Sequence, residues 1–281
     1  MTTMTGTRTI AAAAAVTLLA GLGAAATTSS SQAQTAQAPA VTAPKAARFA
    51  VTATVSETEP EQGDRIKIRG SVTPGKAGAK VVLQKRYGTS GKWKKADTDT
   101  LNGRGRFKFT EKVDSVRFRQ YRVTKKADGR VKSGRSKKLG VTVYGWRALT
   151  SLSPVAASGT GETGSVTINA TAYEQSIVGN GWGNTGSIAY NINRGCKRFV
   201  GRVGLSDSSA VTATGDIRLS GDTTLLFQNS FGLTQSAAVG VDLNGVFRLT
   251  VDWTSSNTAG TPENQSGAVI AVGTPRLLCS F

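Results

Sequence analysis

Arg65-Ile66-Lys67-Ile68-Arg69 and, further along, Arg106-Phe107-Lys108-Phe109 place an apolar side chain at every second position. Successive side chains of a β-strand point to opposite faces, so each run offers one face to a core and one to water; a helix would repeat every three to four residues. Val51, Ala53 and Val55 alternate with Thr52 and Thr54 in the same way, and Val72 extends the Ile66-Ile68 face. Further strands are expected at Lys80–Tyr87, Lys92–Thr100, Val116–Thr124 and Lys137–Val143, with turns at Pro74-Gly75, Ser90-Gly91, Asn102-Gly103 and Asp128-Gly129. Seven short strands in about a hundred residues predict an antiparallel sandwich. The apolar residues of the second half alternate with Thr, Ser and Arg, and the whole chain is read as all-β.

Charge divides the chain more sharply than hydropathy does. Of its net +18, residues 46–145 hold 25 Lys/Arg against 9 Asp/Glu, whereas residues 148–281 hold 7 against 8. The two halves are therefore expected to meet different partners. Residues 1–26 have the layout of a signal peptide: Arg8, then an apolar run from Ile10 closed by Ala24-Ala25-Ala26. That run is mostly alanine and is a poor membrane span, so no transmembrane segment is expected in the mature protein. Residues 27–47, rich in Thr, Ser, Gln, Ala and Pro, are expected to be a disordered spacer. The remainder divides into a basic domain, 48–145, and a second domain, 146–281, with a join at Tyr144-Gly145-Trp146 short enough for Trp146 to pack between them. Cys196 and Cys279 are the only cysteines, and an even pair on an exported chain points to a disulfide. Secretion, to the extracellular space or the cell wall, is the expected destination.

Tyr121-Arg122-Val123 resembles the Tyr-x-Cys of the sixth strand of bacterial immunoglobulin-like domains, with Val123 at the cysteine position. Gly91-Lys92-Trp93-Lys94 resembles the turn between the third and fourth strands of that fold. The resemblance implies an immunoglobulin-like β-sandwich in which the second and fifth strands pair. Arg65, Lys67 and Arg69 then lie beside Arg106 and Lys108 on one exposed face. Such a face is a candidate for retention on anionic cell-wall or extracellular polymer, with a simply solvated surface as the other reading. Nucleic acid is not expected as a partner, because single-strand binding calls for aromatic platforms and Trp93 and Tyr87 fall outside these runs.

In the second half, Ser187-Ile188-Ala189-Tyr190-Asn191-Ile192, Arg198-Phe199 and Val203-Gly204-Leu205-Ser206-Asp207 resemble elements of the novel carbohydrate-binding module attached to family 98 glycoside hydrolases and their relatives. Gly215–Asp222, Val239–Leu243, Gly245–Leu249 and Pro275-Arg276-Leu277 fit later pieces of it. The resemblance implies a galactose-binding-like jelly roll and a glycan or polysaccharide partner, with the disulfide tying the start of a central strand to the last one. Two departures stand out: Asn180-Gly181-Trp182-Gly183-Asn184 replaces a histidine-bearing segment in a chain without histidine, and Ile270–Thr274 replaces an Ala-Asp-Trp-Ala-Asp stretch assigned to loop or edge positions. Sugar sites pair an aromatic face with amide and acidic side chains. Asn180, Trp182 and Asn184, and Trp253 with Asn257 and Glu263, are therefore the candidate carbohydrate-binding residues, core packing being the alternative for each tryptophan. No cofactor is expected; Asp207 is a candidate for a structural calcium ion or, alternatively, for an Asx turn over Ser206–Ser209. Without histidine, no Ser-His or Cys-His machinery can form, and a glycosidase would need facing carboxylates drawn from Asp242, Asp252 and Glu263. The expectation is a non-catalytic glycan-binding protein, the rival being a structural or protein-interaction protein whose second domain binds no sugar.

Overall fold

The computed structural model describes residues 47–159, 162–179, 185–256 and 267–281. The expected signal peptide and all but the last residue of the spacer lie outside the described residues. Among the described residues no helix is long and apolar enough to cross a membrane. The fold is all-β, and every pairing between its strands is antiparallel.

The basic half builds eight strands: β1 (Ala50–Val55), β2 (Arg65–Thr73), β3 (Lys80–Tyr87), β4 (Lys94–Thr100), β5 (Arg106–Lys112), β6 (Phe118–Lys125), β7 (Gly134–Arg135) and β8 (Leu139–Thr142). One sheet has the order β1-β2-β5; in the other β4, β3 and β6 follow in turn, and both β7 and β8 pair with β6. The pairing of the second strand with the fifth is thus present, with Ile68 opposite Phe109 and Arg69 opposite Lys108. Ile66, Ile68 and Phe109 from one sheet meet Leu83, Tyr121 and Val123 from the other in a fully buried core. Asn102 makes its predicted turn by accepting the backbone N–H groups of Arg104 and Arg106 on Oδ1.

Alternation in β6 also carries a charge inward. Arg119 lies two positions before Tyr121 on the core face and is wholly buried. Its guanidinium donates to the Ser115 carbonyl and hydroxyl, lies 3.7 Å from the Asp114 carboxylate and stacks 5.3 Å from the Tyr87 ring centre. Beside it Lys85 and Glu111 join the two sheets through a 2.6 Å ion pair. This end of the sandwich is closed by polar side chains, the other by Phe49, Val72 and Leu101.

The second half contributes β9 (Gly145–Ala148), β10 (Ala156–Ser158), β11 (Glu162–Ile168), β12 (Thr171–Val178), β13 (Thr185–Asn191), β14 (Cys196–Leu205), β15 (Thr214–Gly221), β16 (Thr224–Gly232), β17 (Ser236–Asp242), β18 (Arg248–Ser255) and β19 (Ile270–Cys279). One sheet runs β10-β13-β18-β15-β16 and the other β11-β12-β19-β14-β17, so the chain passes repeatedly from sheet to sheet. Tyr190, Ile217, Leu219 and Val251 on the first sheet pack against Phe199, Val203 and Leu277 on the second. Cys196 and Cys279 are directly opposite in the β14–β19 register, their Cα atoms 4.0 Å apart, and are disulfide-bonded. Ile270–Thr274, expected at a loop or edge, instead belongs to β19, which is hydrogen-bonded on both sides. Ile270, Ala271 and Val272 are buried there, and a run without charge suits a strand covered on both faces better than the acidic stretch would.

Gly145 ends the basic half and begins β9, which pairs with β19 so that Trp146 is opposite Leu278. A Cβ at Gly145 would lie 2.3 Å from the Val116 Cγ2 methyl, so a larger residue at the join requires that side chain to move. Trp146 donates its indole N–H to Glu61 at 3.2 Å, and Lys197 of β14 pairs with Glu59 at 2.7 Å while lying 4.0 Å from the Tyr144 ring centre. The tryptophan does pack across the join.

Burial pushes the Tyr121 hydroxyl up to about 12, with Glu111 adding to the rise and Arg119 opposing it, and burial alone pushes Tyr190 up to about 12. In the unfolded chain both titrate near ~10. Below that pH the two states bind the same protons; above it the unfolded chain ionises first, so stability falls until the folded hydroxyls also ionise. Urea unfolding between pH 9 and 12 is expected to lose up to about 1.4 kcal/mol per pH unit for each tyrosine above pH ~10. Tyr121→Phe and Tyr190→Phe should each flatten that slope; a slope unchanged in both variants contradicts the assignment.

Candidate functional site

The five cations predicted to share a face do so. Arg65, Lys67 and Arg69 on β2 and Arg106 and Lys108 on β5 are all exposed, while the residues between them point into the core. Register sets Arg69 opposite Lys108, Ser71 opposite Arg106 and Arg65 opposite Lys112. Lys112 is thus a sixth member; it keeps the parity of Arg106 and Lys108 and was legible in the sequence on that ground. Among the described residues none of the six forms an ion pair with a carboxylate. Thr52 and Thr54 of β1 extend the face, Thr52 sharing a 2.9 Å hydrogen bond with Ser71. Between them, Arg69 and Arg106 border a shallow depression of about 380 Å³. Like charges opposed across strands repel by a few tenths of a kcal/mol or more, and their exposure to water and salt moderates that cost.

The sugar-site candidates divide into two groups. Asn180, Trp182, Asn184, Asn257 and Glu263 lie outside the described residues. What the structure does fix is the base from which their segments start. Gly179 donates its N–H to the Ile270 carbonyl at 2.7 Å, Val178 is opposite Ala271, and Thr185 is opposite Thr254. The described residues that flank 180–184 therefore neighbour those that flank 257–266 at one end of the sandwich.

Trp253 is a correction to the sequence reading. It occupies an inward position of β18 between Val251 and Ser255, is 5% exposed and belongs to the core. Its indole fills the space over Gly186, where a Cβ would approach within 2.3 Å, and its Nε1 edge faces Gly179. With no free face it cannot serve as a sugar platform. The sequence signal was the alternation Leu249, Val251, Trp253, which outweighs the polar residues that follow.

Asp207 is also reassigned. Both of its carboxylate oxygens accept backbone N–H groups, from Asn169 and Ala170 at 2.8 Å each, and so brace the tight β11–β12 turn, in which both residues have positive φ. The local turn at Ser206–Ser209 is closed instead by the Ser206 carbonyl and hydroxyl. Asp207 is thus engaged by two backbone N–H donors, and among the described residues no three His, Cys, Asp or Glu side chains gather. Of the acids considered for catalysis, Asp242 accepts the Asn244 N–H in a turn after β17, while Asp252 stands opposite Arg218 on β18 of the other sheet. Glu263 lies outside the described residues.

No protein-family model matches the chain, and no curated protein matches it. Among solved structures, it is similar to the CBM51 of Clostridium perfringens GH95 in complex with methyl-galactose, at 17% identity and a TM-score of 0.36, over 47% of this chain and 99% of that one. It is also similar to the M60 catalytic domain with the CBM51-1 and CBM51-2 domains of Clostridium perfringens ZmpB, at 14% identity and a TM-score of 0.39, over 82% of this chain and 31% of that one. Likenesses of this size establish neither a family nor a ligand for this chain.

The burial of Trp253 yields a direct test. Trp253→Ala should destabilise the second sandwich by about 3–5 kcal/mol, read as a lowered unfolding midpoint. A midpoint within error of the unmodified protein would return Trp253 to the surface.

Proposed function

We propose that this protein is an exported, non-catalytic glycan-binding protein whose basic sandwich retains it on anionic cell-wall or extracellular polymer. The observation that carries the reading is the adjacency of the residues flanking two polar segments of the sequence, 180–184 and 257–266, with Gly179 donating to Ile270 and Thr185 opposite Thr254 at one end of the second sandwich. Those segments bear Trp182 with Asn180 and Asn184, and Asn257 with Glu263, the residue types that grip a sugar by its C–H face and its hydroxyls. Export is supported by the Arg8–Ala26 segment and by a disulfide, which persists in oxidising surroundings. A non-catalytic role is supported by the lack of histidine in the sequence and by the placement of Asp242 and Asp252 on opposite sheets. Two weak sites on one chain raise overall avidity through effective concentration, so neither surface needs high affinity alone.

A glycan array probed with the mature chain is expected to give a restricted set of signals that Trp182→Ala abolishes. A blank array favours the rival reading, a structural or protein-interaction role, which the loss of Trp253 as a platform makes the pertinent alternative. Retention on polygalacturonate, tested separately, should weaken steeply as salt rises and drop further in Arg69→Gln/Lys108→Gln. Salt-independent retention would remove the β2–β5 face from the proposal.

A further inference from the structure

The opposite face of the basic sandwich carries a second cationic arrangement, built differently from the first. Outward positions of β3 and β6 interleave arginine and glutamine: Gln84 is opposite Arg122 and Arg86 is opposite Gln120. Arg86 donates from Nε and Nη2 to the Gln120 Oε1 at 2.9 and 2.7 Å, and Arg122 donates from Nε to the Gln84 Oε1 at 2.8 Å. Trp93, just before β4, lies against both guanidiniums, 4.7 Å from Arg86 and 4.1 Å from Arg122. Lys95 is opposite Gln84, and Arg135 is opposite Thr124, so the row continues on both sides. The sequence reading set Trp93 apart from the basic residues; the structure places it in the middle of this second group.

The donor count follows from these bonds. Each glutamine uses its carbonyl oxygen on an arginine, which leaves its NH₂ group as a donor. The guanidiniums keep N–H groups that the glutamines do not use. Around Trp93 the side chains therefore offer donors and positive charge, and among the described residues none of Arg86, Arg122, Lys95 and Arg135 has an ion-pair partner. Burial first, then the charges of Arg135 and Arg86, hold the Arg122 guanidinium below its ordinary value. Arginines held by an aromatic face and an amide have little rotamer freedom left to lose when they meet an anion.

We infer that the Trp93–Arg86–Arg122 cluster, with Gln84 and Gln120, is a binding site for the phosphate groups of a base-free phosphodiester or polyphosphate polymer. A tetrahedral phosphate offers several acceptor oxygens and no donor, which matches a cluster of paired forks and amide N–H groups. With both guanidiniums against it, the Trp93 ring has no need of a nucleobase, and its role is to position the two arginines. The basic sandwich then presents polyanion sites on both outer faces, a capacity to bridge two polymer chains that the retention reading alone does not contain.

Titration of the mature chain with inorganic polyphosphate, beside polygalacturonate as the carboxylate comparison, tests this. Arg86→Gln/Arg122→Gln should weaken polyphosphate binding about tenfold, against less than about twofold for Lys76→Gln/Lys126→Gln, which removes equal charge elsewhere. Arg86→Lys/Arg122→Lys keeps the charge and the fold but loses the forks, and should still weaken binding about threefold. Trp93→Leu should act in the same direction with the net charge untouched. Equal losses in the Gln variant and the Lys76/Lys126 control, or wild-type binding by the Arg→Lys pair with its melting curve unchanged, overturn the site. Arg69→Gln/Lys108→Gln separates this inference from the retention reading: if it alone abolishes polyphosphate binding, the Trp93 cluster is not a site, and if it alone has no effect, the β2–β5 face is not.

Discussion

Strand β19 is hydrogen-bonded on both sides along most of its length: to β14 on one side and, on the other, to β12 over its first residues and β9 over its last. Its central position accounts for three otherwise separate features. The disulfide fastens its final residue to the first residue of β14, closing a separation of 83 residues, which stabilises by about 4–5 kcal/mol on the chain-entropy account. Its first residue accepts the Gly179 N–H and fixes the end of the sandwich where the polar segments start. Its last residues pair with β9 and bring Trp146 against Glu61 of the basic half. A strand so placed has no solvent edge or free face to spare, and the run Ile270-Ala271-Val272 meets that demand.

In the basic sandwich the governing constraint is electrostatic. The 25 cations of residues 46–145 far outnumber their nine acids, and the carboxylates that pair with cations among the described residues do so at the polar end of the core, at the join or, in Lys125–Asp128, beside Phe49. Much of the remaining charge is carried by loops, and two groups of cations stand on the outer faces of the sheets. On β2 and β5 the cations are separate, long and solvated. Around Trp93 they are packed on an aromatic ring and tethered by amides. The first arrangement costs little because water screens it, and it yields a diffuse field; the second gives up side-chain freedom in advance and yields direction.

Much of the architecture was legible in the chain. Strict alternation identified β2, β3 and β5 closely, since a one-residue slip would have buried Arg65, Lys67 and Arg69. The pairing of β2 with β5 then followed from the expected topology, and with it the cationic face. The errors came where one residue type serves two purposes. Trp253 has the amphipathic chemistry of a platform and the parity of a core residue, and parity prevailed. Asp207 suits a cation or a turn, and it was claimed by N–H groups of a hairpin 37 residues earlier, which no local pattern announces. Arg86, Trp93 and Arg122 are scattered over three segments, and only strand pairing brings them together.

Sequence by itself determined that this chain is built of strands, which faces of those strands are wet, that charge is concentrated in one half, and that its two cysteines would join. These depend on local alternation and composition, which survive any arrangement of the strands. Tertiary structure alone decided that Ile270–Thr274 is interior, that Asp207 braces a distant turn, and that two arginines share the Trp93 ring. Those outcomes rest on contacts between residues remote in sequence, whose adjacency is set by sheet order and register.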